Sequence, residues 1–170
     1  MAEQDISRRG FLGWATGLLA GLGALFVAVP LVGTVVASVQ PKGRAGFVSV
    51  GDVSALKPGE PVAFPFVDDV RDAYVQERVP RMVWAVKRQD GSVTAYSPVC
   101  PHLGCEFFWD PTARQFVCPC HDSRWDVNGR ILGGPTPRAM DTLVSKVENG
   151  ALMVRWEQFQ TGTPEKIPVG

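Results

Sequence analysis

All four cysteines and both histidines of this 170-residue chain fall between Cys100 and His121. They form two short boxes, Cys100-Pro101-His102-Leu103-Gly104-Cys105 and Cys118-Pro119-Cys120-His121. Thiolates and imidazoles are the side chains that bind soft and borderline metals, and packing gives no reason to gather them in two places and leave the rest of the chain without any. Each box offers one mixed pair, Cys100 with His102 and Cys118 with His121. A structural zinc site also takes four such ligands, but zinc modules usually place paired cysteines in one half and paired histidines in the other. A [2Fe–2S] centre with two thiolates on one iron and two imidazoles on the other needs each loop to serve both irons, and mixed boxes meet that need. Cys105 and Cys120 are left over beside the ligand candidates, and spacing alone leaves open whether they are free thiols or joined.

Ligands that protrude from loops need a rigid scaffold beneath them, and the sequence around the boxes reads as β-structure. Short apolar runs at Phe47–Val50, Val62–Val67, Met82–Val86, Val93–Tyr96, Phe116–Val117, Leu143–Val147 and Leu152–Trp156 predict strands. The turn pairs Asp90-Gly91, Asn128-Gly129 and Asn149-Gly150 predict hairpins. No long stretch of 3.6-residue periodicity follows residue 46. Asp68–Pro80 is polar and irregular, and is expected to be a surface excursion with one strand around Tyr74–Gln76.

Residues 10–39 carry no charge, and Phe11 to Val39 is long enough to cross a bilayer. Gly13, Gly17 and Gly21 allow close packing against another membrane helix, or are ordinary membrane-helix composition. The preceding Ser7-Arg8-Arg9-Gly10-Phe11-Leu12 resembles a twin-arginine export signal; two arginines can also simply set topology. Val35-Val36-Ala37 is a tolerable cleavage site, but the apolar run exceeds that of a removable signal, so a retained anchor is expected. Residues 40–46 mix proline, glycine and charge, which suits a hinge built on Pro41, Gly43 and Gly46, or a plain juxtamembrane turn. The 17 basic and 17 acidic residues balance without a basic run, which argues against nucleic acid as a partner. The length allows one domain of about 130 residues besides the anchor.

The boxes Cys-x-His-x-Gly-Cys and Cys-Pro-Cys-His-x-Ser, with Gly133-Gly134-Pro135-Thr136-Pro137 downstream, closely resemble the Rieske iron–sulfur subunits of bacterial quinol-oxidising complexes of the cytochrome bc1 and b6f type. The resemblance implies one [2Fe–2S] cluster held by Cys100, His102, Cys118 and His121, and a disulfide between Cys105 and Cys120. It implies residues 1–12 as a cytoplasmic twin-arginine region, 13–39 as a transmembrane helix and 40–46 as the hinge linker. Residues 47–170 would be an all-β Rieske head, a small antiparallel sandwich or barrel with cluster-binding loops at 98–138. Ser123 stands where the family has a serine hydrogen-bonded to a cluster sulfide. Trp125 stands where high-potential members have tyrosine, so a lower potential is expected.

The function so implied is acceptance of one electron and a proton from membrane quinol, menaquinol being plausible, at His121 or His102. Head movement would then pass the electron to a cytochrome c-type or plastocyanin-type acceptor. Leu103 with Gly133, Gly134, Pro135 and Pro137 would dock on a cytochrome b-type subunit, unless they serve only loop packing. The complex is expected to be dimeric, with the chain single-pass in the bacterial cytoplasmic membrane, its N-terminus cytoplasmic and its head periplasmic. The short gap between the boxes leans toward the b6f or menaquinol-oxidising type. Alternatives are the Rieske subunit of an exported molybdenum oxidase such as arsenite oxidase, and a Rieske oxygenase or its ferredoxin. The last pair as a rule lack the disulfide cysteines, and an oxygenase needs a mononuclear iron site for which no histidine is spare.

Overall fold

The structure, a computed structural model, describes residues 7–39, 46–72 and 75–169. The chain divides into two compact units, residues 1–42 and 43–170, and each is described by itself. The first contains α1 (Arg8–Val39). Ser7 starts it as an N-cap, its Oγ accepting the Gly10 N–H at 3.2 Å. Within Arg8–Val36 the most apolar 18 residues have a mean hydropathy of 2.3, and the helix is long and apolar enough to cross a membrane. Of the expected hinge positions, Pro41 and Gly43 lie outside the described residues; Gly46 is described and exposed.

Among its described residues the second unit is built of antiparallel strands in four open sheets, none of which closes into a barrel. β1 (Val48–Asp52), β10 (Ala151–Arg155) and β9 (Val144–Glu148) form one sheet in that order. β2 (Val62–Asp72), β3 (Val75–Lys87) and β4 (Val93–Tyr96) form a second. β5 (Phe108–Asp110), β6 (Gln115–Val117), β7 (Arg124–Trp125) and β8 (Ile131–Gly133) form a third. β11 (Gln158–Phe159) pairs with β12 (Pro168–Val169). The three expected turn pairs each join two strands, and Gly91, Gly129 and Gly150 take the positive φ (85°, 77° and 79°) that made glycine the residue to look for there.

Side-chain alternation makes β3 and β4 a shared wall between two cores. Val83, Ala85 and Ala95 point into one core with Val50, Leu152 and Val154. The intervening Trp84, Val86 and Tyr96 point into the other, with Phe107, Phe116 and Trp125. This second core is rich in aromatic side chains and includes Cys100 and Cys118, two of the residues expected to bind metal.

Tyr74 of the expected Tyr74–Gln76 strand lies outside the described residues. The described residues of Asp68–Pro80 are exposed in large part, as expected, but they are regular strand. They are the outer part of a hairpin in which β2 and β3 pair from Val62↔Ala85 to Asp72↔Val75. Two features hid it. Pro65 and Pro80 interrupt the pattern; Pro65 is tolerated because β2 is the edge strand of its sheet, and Pro80 because β4 pairs only with Trp84–Lys87 and leaves that part of β3 open on one side. An inward-facing position is also occupied by a charge: Asp68, 4% exposed, accepts from Arg81 Nε at 2.7 Å, and that guanidinium lies 4.6 Å over the Trp156 ring. A buried acid whose partner is thirteen residues away reads as surface in a hydrophobicity pattern.

Candidate metal centre

The first box forms a loop between β4 and β5, the second a loop between β6 and β7. The two loops fold alike. In the first, Cys100 N–H donates to the Cys105 carbonyl at 2.8 Å and Gly104 N–H to the Cys100 carbonyl at 3.0 Å. In the second, Cys118 N–H donates to the Ser123 carbonyl at 2.9 Å and Asp122 N–H to the Cys118 carbonyl at 3.1 Å. Each loop is thus six residues closed by the same two hydrogen bonds, with a cysteine first and a left-handed residue fifth.

This folding sorts the chemistry by depth. Cys100 and Cys118 are free thiols at 1% and 2% exposure. Burial pushes the Cys100 thiol above its ordinary range, and the adjoining Cys118 thiol adds to that, while the amides of His102 and Leu103 pull the other way. Above them the rings of His102 and His121 stand 4.9 Å apart and nearly perpendicular, at 84°. His102 is half-buried and His121 exposed. Two sulfurs below and two imidazoles above are what a metal group bound unsymmetrically between the loops requires.

Cys105 and Cys120 are joined in a disulfide, which ties one loop to the other. The sulfurs of Cys105, Cys118 and Cys120 lie within 4.8 Å of one another. Two of these three are bonded to each other, so this sulfur cluster is not itself the ligand set.

Ser123 is completely buried, and its hydroxyl has no hydrogen-bond partner among the described residues. Among the described residues three other buried side-chain atoms lack partners, Trp84 Nε1, Arg124 Nε and Trp156 Nε1, but Ser123 Oγ alone belongs to the two six-residue loops. Trp125, also fully buried, sits under these loops against Phe107, their ring centroids 5.2 Å apart. Its indole N–H reaches the Arg138 carbonyl at 3.4 Å, so it is committed away from the loops.

Of the expected docking residues, Leu103 is 62% exposed and Pro135 is exposed, whereas Pro137 is half-buried. Gly134, at φ 87°, lies directly behind the second loop: a Cβ there would strike Ser123 Cα and come within 2.5 Å of the Asp122 carbonyl oxygen. The 133–137 segment therefore backs the ligand loop as well as presenting an edge to solvent. The sequence pattern did not reveal a second support. Arg138 and Asp141 form a buried ion pair, and the C-terminal turn around Gly162 hydrogen-bonds to Pro101 at 2.8 Å. An Arg–Asp pair three apart is too common a sequence feature to have signalled this.

Comparison with known proteins agrees with this geometry. Residues 46–148 match the Rieske [2Fe-2S] domain family. The menaquinol:cytochrome c reductase iron-sulfur subunit of Geobacillus thermodenitrificans is 33% identical over 158 residues, covering 88% of this chain and 91% of that one. The cytochrome b6-f complex iron-sulfur subunit of Chlorobaculum tepidum is 30% identical over 150 residues, covering 88% of this chain and 76% of that one. A quaternary ammonium Rieske monooxygenase of known structure shares the fold only, with a TM-score of 0.50 at 15% identity over 69% of this chain and 33% of the other. Two loops of matched geometry, a crosslink between them and relatives aligned along most of their length lead to one assignment: this chain belongs to the Rieske [2Fe–2S] family, among the iron–sulfur subunits of quinol-oxidising cytochrome complexes.

Proposed function

We propose that Cys100, His102, Cys118 and His121 hold one [2Fe–2S] cluster, and that the chain is the redox subunit of a bacterial quinol–cytochrome oxidoreductase, by itself an electron carrier. The observation that carries the reading is Ser123: a buried hydroxyl without a partner among the described residues costs about 1–3 kcal/mol, and a cluster bound between the loops would offer it an acceptor. The donor set fits as well, with two buried thiols facing each other and two imidazoles toward solvent. When bound, the cluster supplies a one-electron couple.

The chain's own residues supply the rest. Cys100 and Cys118 keep their sulfurs out of water in the aromatic core. An imidazole that binds metal through one nitrogen keeps the other for a proton. His121, the more exposed of the two, is the one we place toward quinol, with His102 beside it. Leu103 and Pro135 form an apolar rim suited to docking on a cytochrome b-type subunit and to excluding water from the contact.

In the same reading α1 is the retained single-pass anchor, led by a twin-arginine signal at Arg8-Arg9. The head lies on the extracytoplasmic side and residues 40–46 serve as the hinge by which it reaches a cytochrome c-type acceptor. The Geobacillus relative belongs to a menaquinol:cytochrome c reductase, which favours menaquinol as donor, and a dimeric complex is expected. The test is purification of the membrane complex, with EPR of the reduced sample and analysis of its haems and quinone. Replacing any one of the four ligand residues by alanine should abolish the Rieske signal. A signal that persists in one variant removes that residue from the ligand set. A molybdenum subunit in place of b-type haem would overturn the assembly but not the cluster.

A further inference from the structure

Arg138 uses every donor it has. Nε and Nη2 grip Asp141 at 2.9 and 2.8 Å, Nη2 also donates to the Gln160 carbonyl at 2.9 Å, and Nη1 donates to the Thr163 carbonyl at 2.6 Å and its hydroxyl at 3.2 Å. The two side chains are 8% and 5% exposed. The Arg138 carbonyl accepts in turn from Thr136 Oγ1 at 2.9 Å and from Trp125 Nε1 at 3.4 Å. One residue therefore joins the 133–137 segment, the tryptophan under the second loop and the C-terminal turn.

That turn ends at the metal centre. Gly162, with φ 75°, donates its N–H to the carbonyl of Pro101 at 2.8 Å, and Pro101 stands between Cys100 and His102. Asp141 is fixed on the other side, its carbonyl accepting Ser97 N–H at 2.8 Å where β4 runs into the first loop. We infer that Arg138, with Asp141 as its counter-charge, is a positioning residue: by clasping residues 160–163 it holds Gly162 against Pro101 and so sets where His102 stands relative to His121. The inference rests on the proposed ligand set. A brace for stability alone could end anywhere in the fold, but this one ends on a carbonyl between two ligand residues. The geometry calls for arginine, since a lysine ammonium cannot span a carboxylate and two separate carbonyls at once.

The test compares Arg138→Lys, Asp141→Asn and Gly162→Ala with wild type in the purified complex, well below their unfolding temperatures. Three readouts are taken: the EPR g-values of the reduced cluster, its midpoint potential, and hydrogen exchange at residue 162. Arg138→Lys should shift the g-values and the potential and speed exchange by about tenfold, the factor for losing one ordinary hydrogen bond. Asp141→Asn should give a smaller shift in the same direction, because the guanidinium keeps its bonds to Gln160 and Thr163. Gly162→Ala strains the turn without burying or exposing a charge, and so tests the same contact should Arg138→Lys fail to assemble. Variants that lose thermal stability while all three readouts match wild type overturn the positioning role. A wild-type complex without a Rieske signal would instead sink the proposed cluster, so the two failures are distinct.

Discussion

Gly104 and Asp122 occupy the same place in the two ligand loops, the fifth residue of each, and both hold a left-handed backbone at φ 84° and 57°. The loops need that conformation to return the chain to its first carbonyl. L-residues pay for it, in general about 1–2 kcal/mol, with Asp and Asn among the more tolerant. A Cβ at Gly104 would meet only Thr161 Cγ2 at 3.8 Å, so Gly104→Ala tests the backbone alone. It should destabilise the head by about 1 kcal/mol. Asp122→Gly should stabilise it by less than that, since it also loses an exposed pair with Arg124 at 3.4 Å. Denaturant unfolding measures both, and an unchanged midpoint for Gly104→Ala would show that the loop does not need its left-handed residue.

Ser123→Ala should leave the cluster-free head as stable as before or slightly more so, because it deletes a buried hydroxyl that has no protein partner among the described residues. In the loaded protein it should lower the reduction potential. A hydrogen bond of about 1–2 kcal/mol that stabilises the reduced form corresponds to a one-electron shift on the order of 40–90 mV. Trp125→Tyr should raise the potential if its hydroxyl reaches a cluster sulfur. It should also cost stability, because the smaller ring leaves a void in the core and gives up the bond to the Arg138 carbonyl. Redox titration followed by EPR reads both changes; a potential unmoved by Ser123→Ala would mean that this hydroxyl does not face the cluster.

Cys105→Ser should behave unlike the ligand variants. The crosslink joins residues 15 apart, for which loop-closure entropy predicts about 3 kcal/mol of stabilisation. The head should unfold at lower denaturant and still assemble some cluster, because the proposed ligand set includes neither Cys105 nor Cys120. Iron content near zero, with secondary structure intact, would assign these cysteines a direct part in binding.

Alkaline pH should destabilise the cluster-free head through Cys100. Burial raises this thiol's pKa in the folded state, so between the unfolded value near 9 and the higher folded one the native state binds more protons than the unfolded chain. Stability is therefore full below pH 9 and falls as pH rises through that window. Tyr96 and Lys166 also titrate at high pH, with shifts up and down respectively from burial. The informative quantity is thus the difference between wild type and Cys100→Ala, which should lack this part of the fall. Parallel stability curves for the two proteins from pH 8 to 11 would contradict the assignment.

Much of the site could be read from sequence because its residues are scarce and its turns are forced. Six metal-binding side chains gathered in two boxes suit little besides a metal group, and the glycines at 91, 129 and 150 mark hairpins that a left-handed turn demands. The positions of the side chains that support the site could not be read in that way. Asp68 with Arg81 and Arg138 with Asp141 are charged residues that look solvated until their partners are known, and each is buried only because the other neutralises it. Buried charge hid the C-terminal clasp, and together with the prolines it hid the Asp68–Pro80 strands. The alternation of β3 failed to show its two-core role for a related reason: a strand buried on both faces is a continuous apolar run, and only the fold assigns Trp84 to one side and Val83 to the other.

The crosslink between the loops also settles a question of choice. Four thiols chemically alike stand in the two boxes, and three of them crowd within 4.8 Å. A metal group meeting all four in reduced form would find more than one pair to bind, and a pair including Cys105 or Cys120 would draw it out of the aromatic core toward solvent. Once those two are bonded to each other, each loop has a single thiolate to give, and both are buried. The crosslinked protein therefore offers one way to bind where four free thiols would allow several.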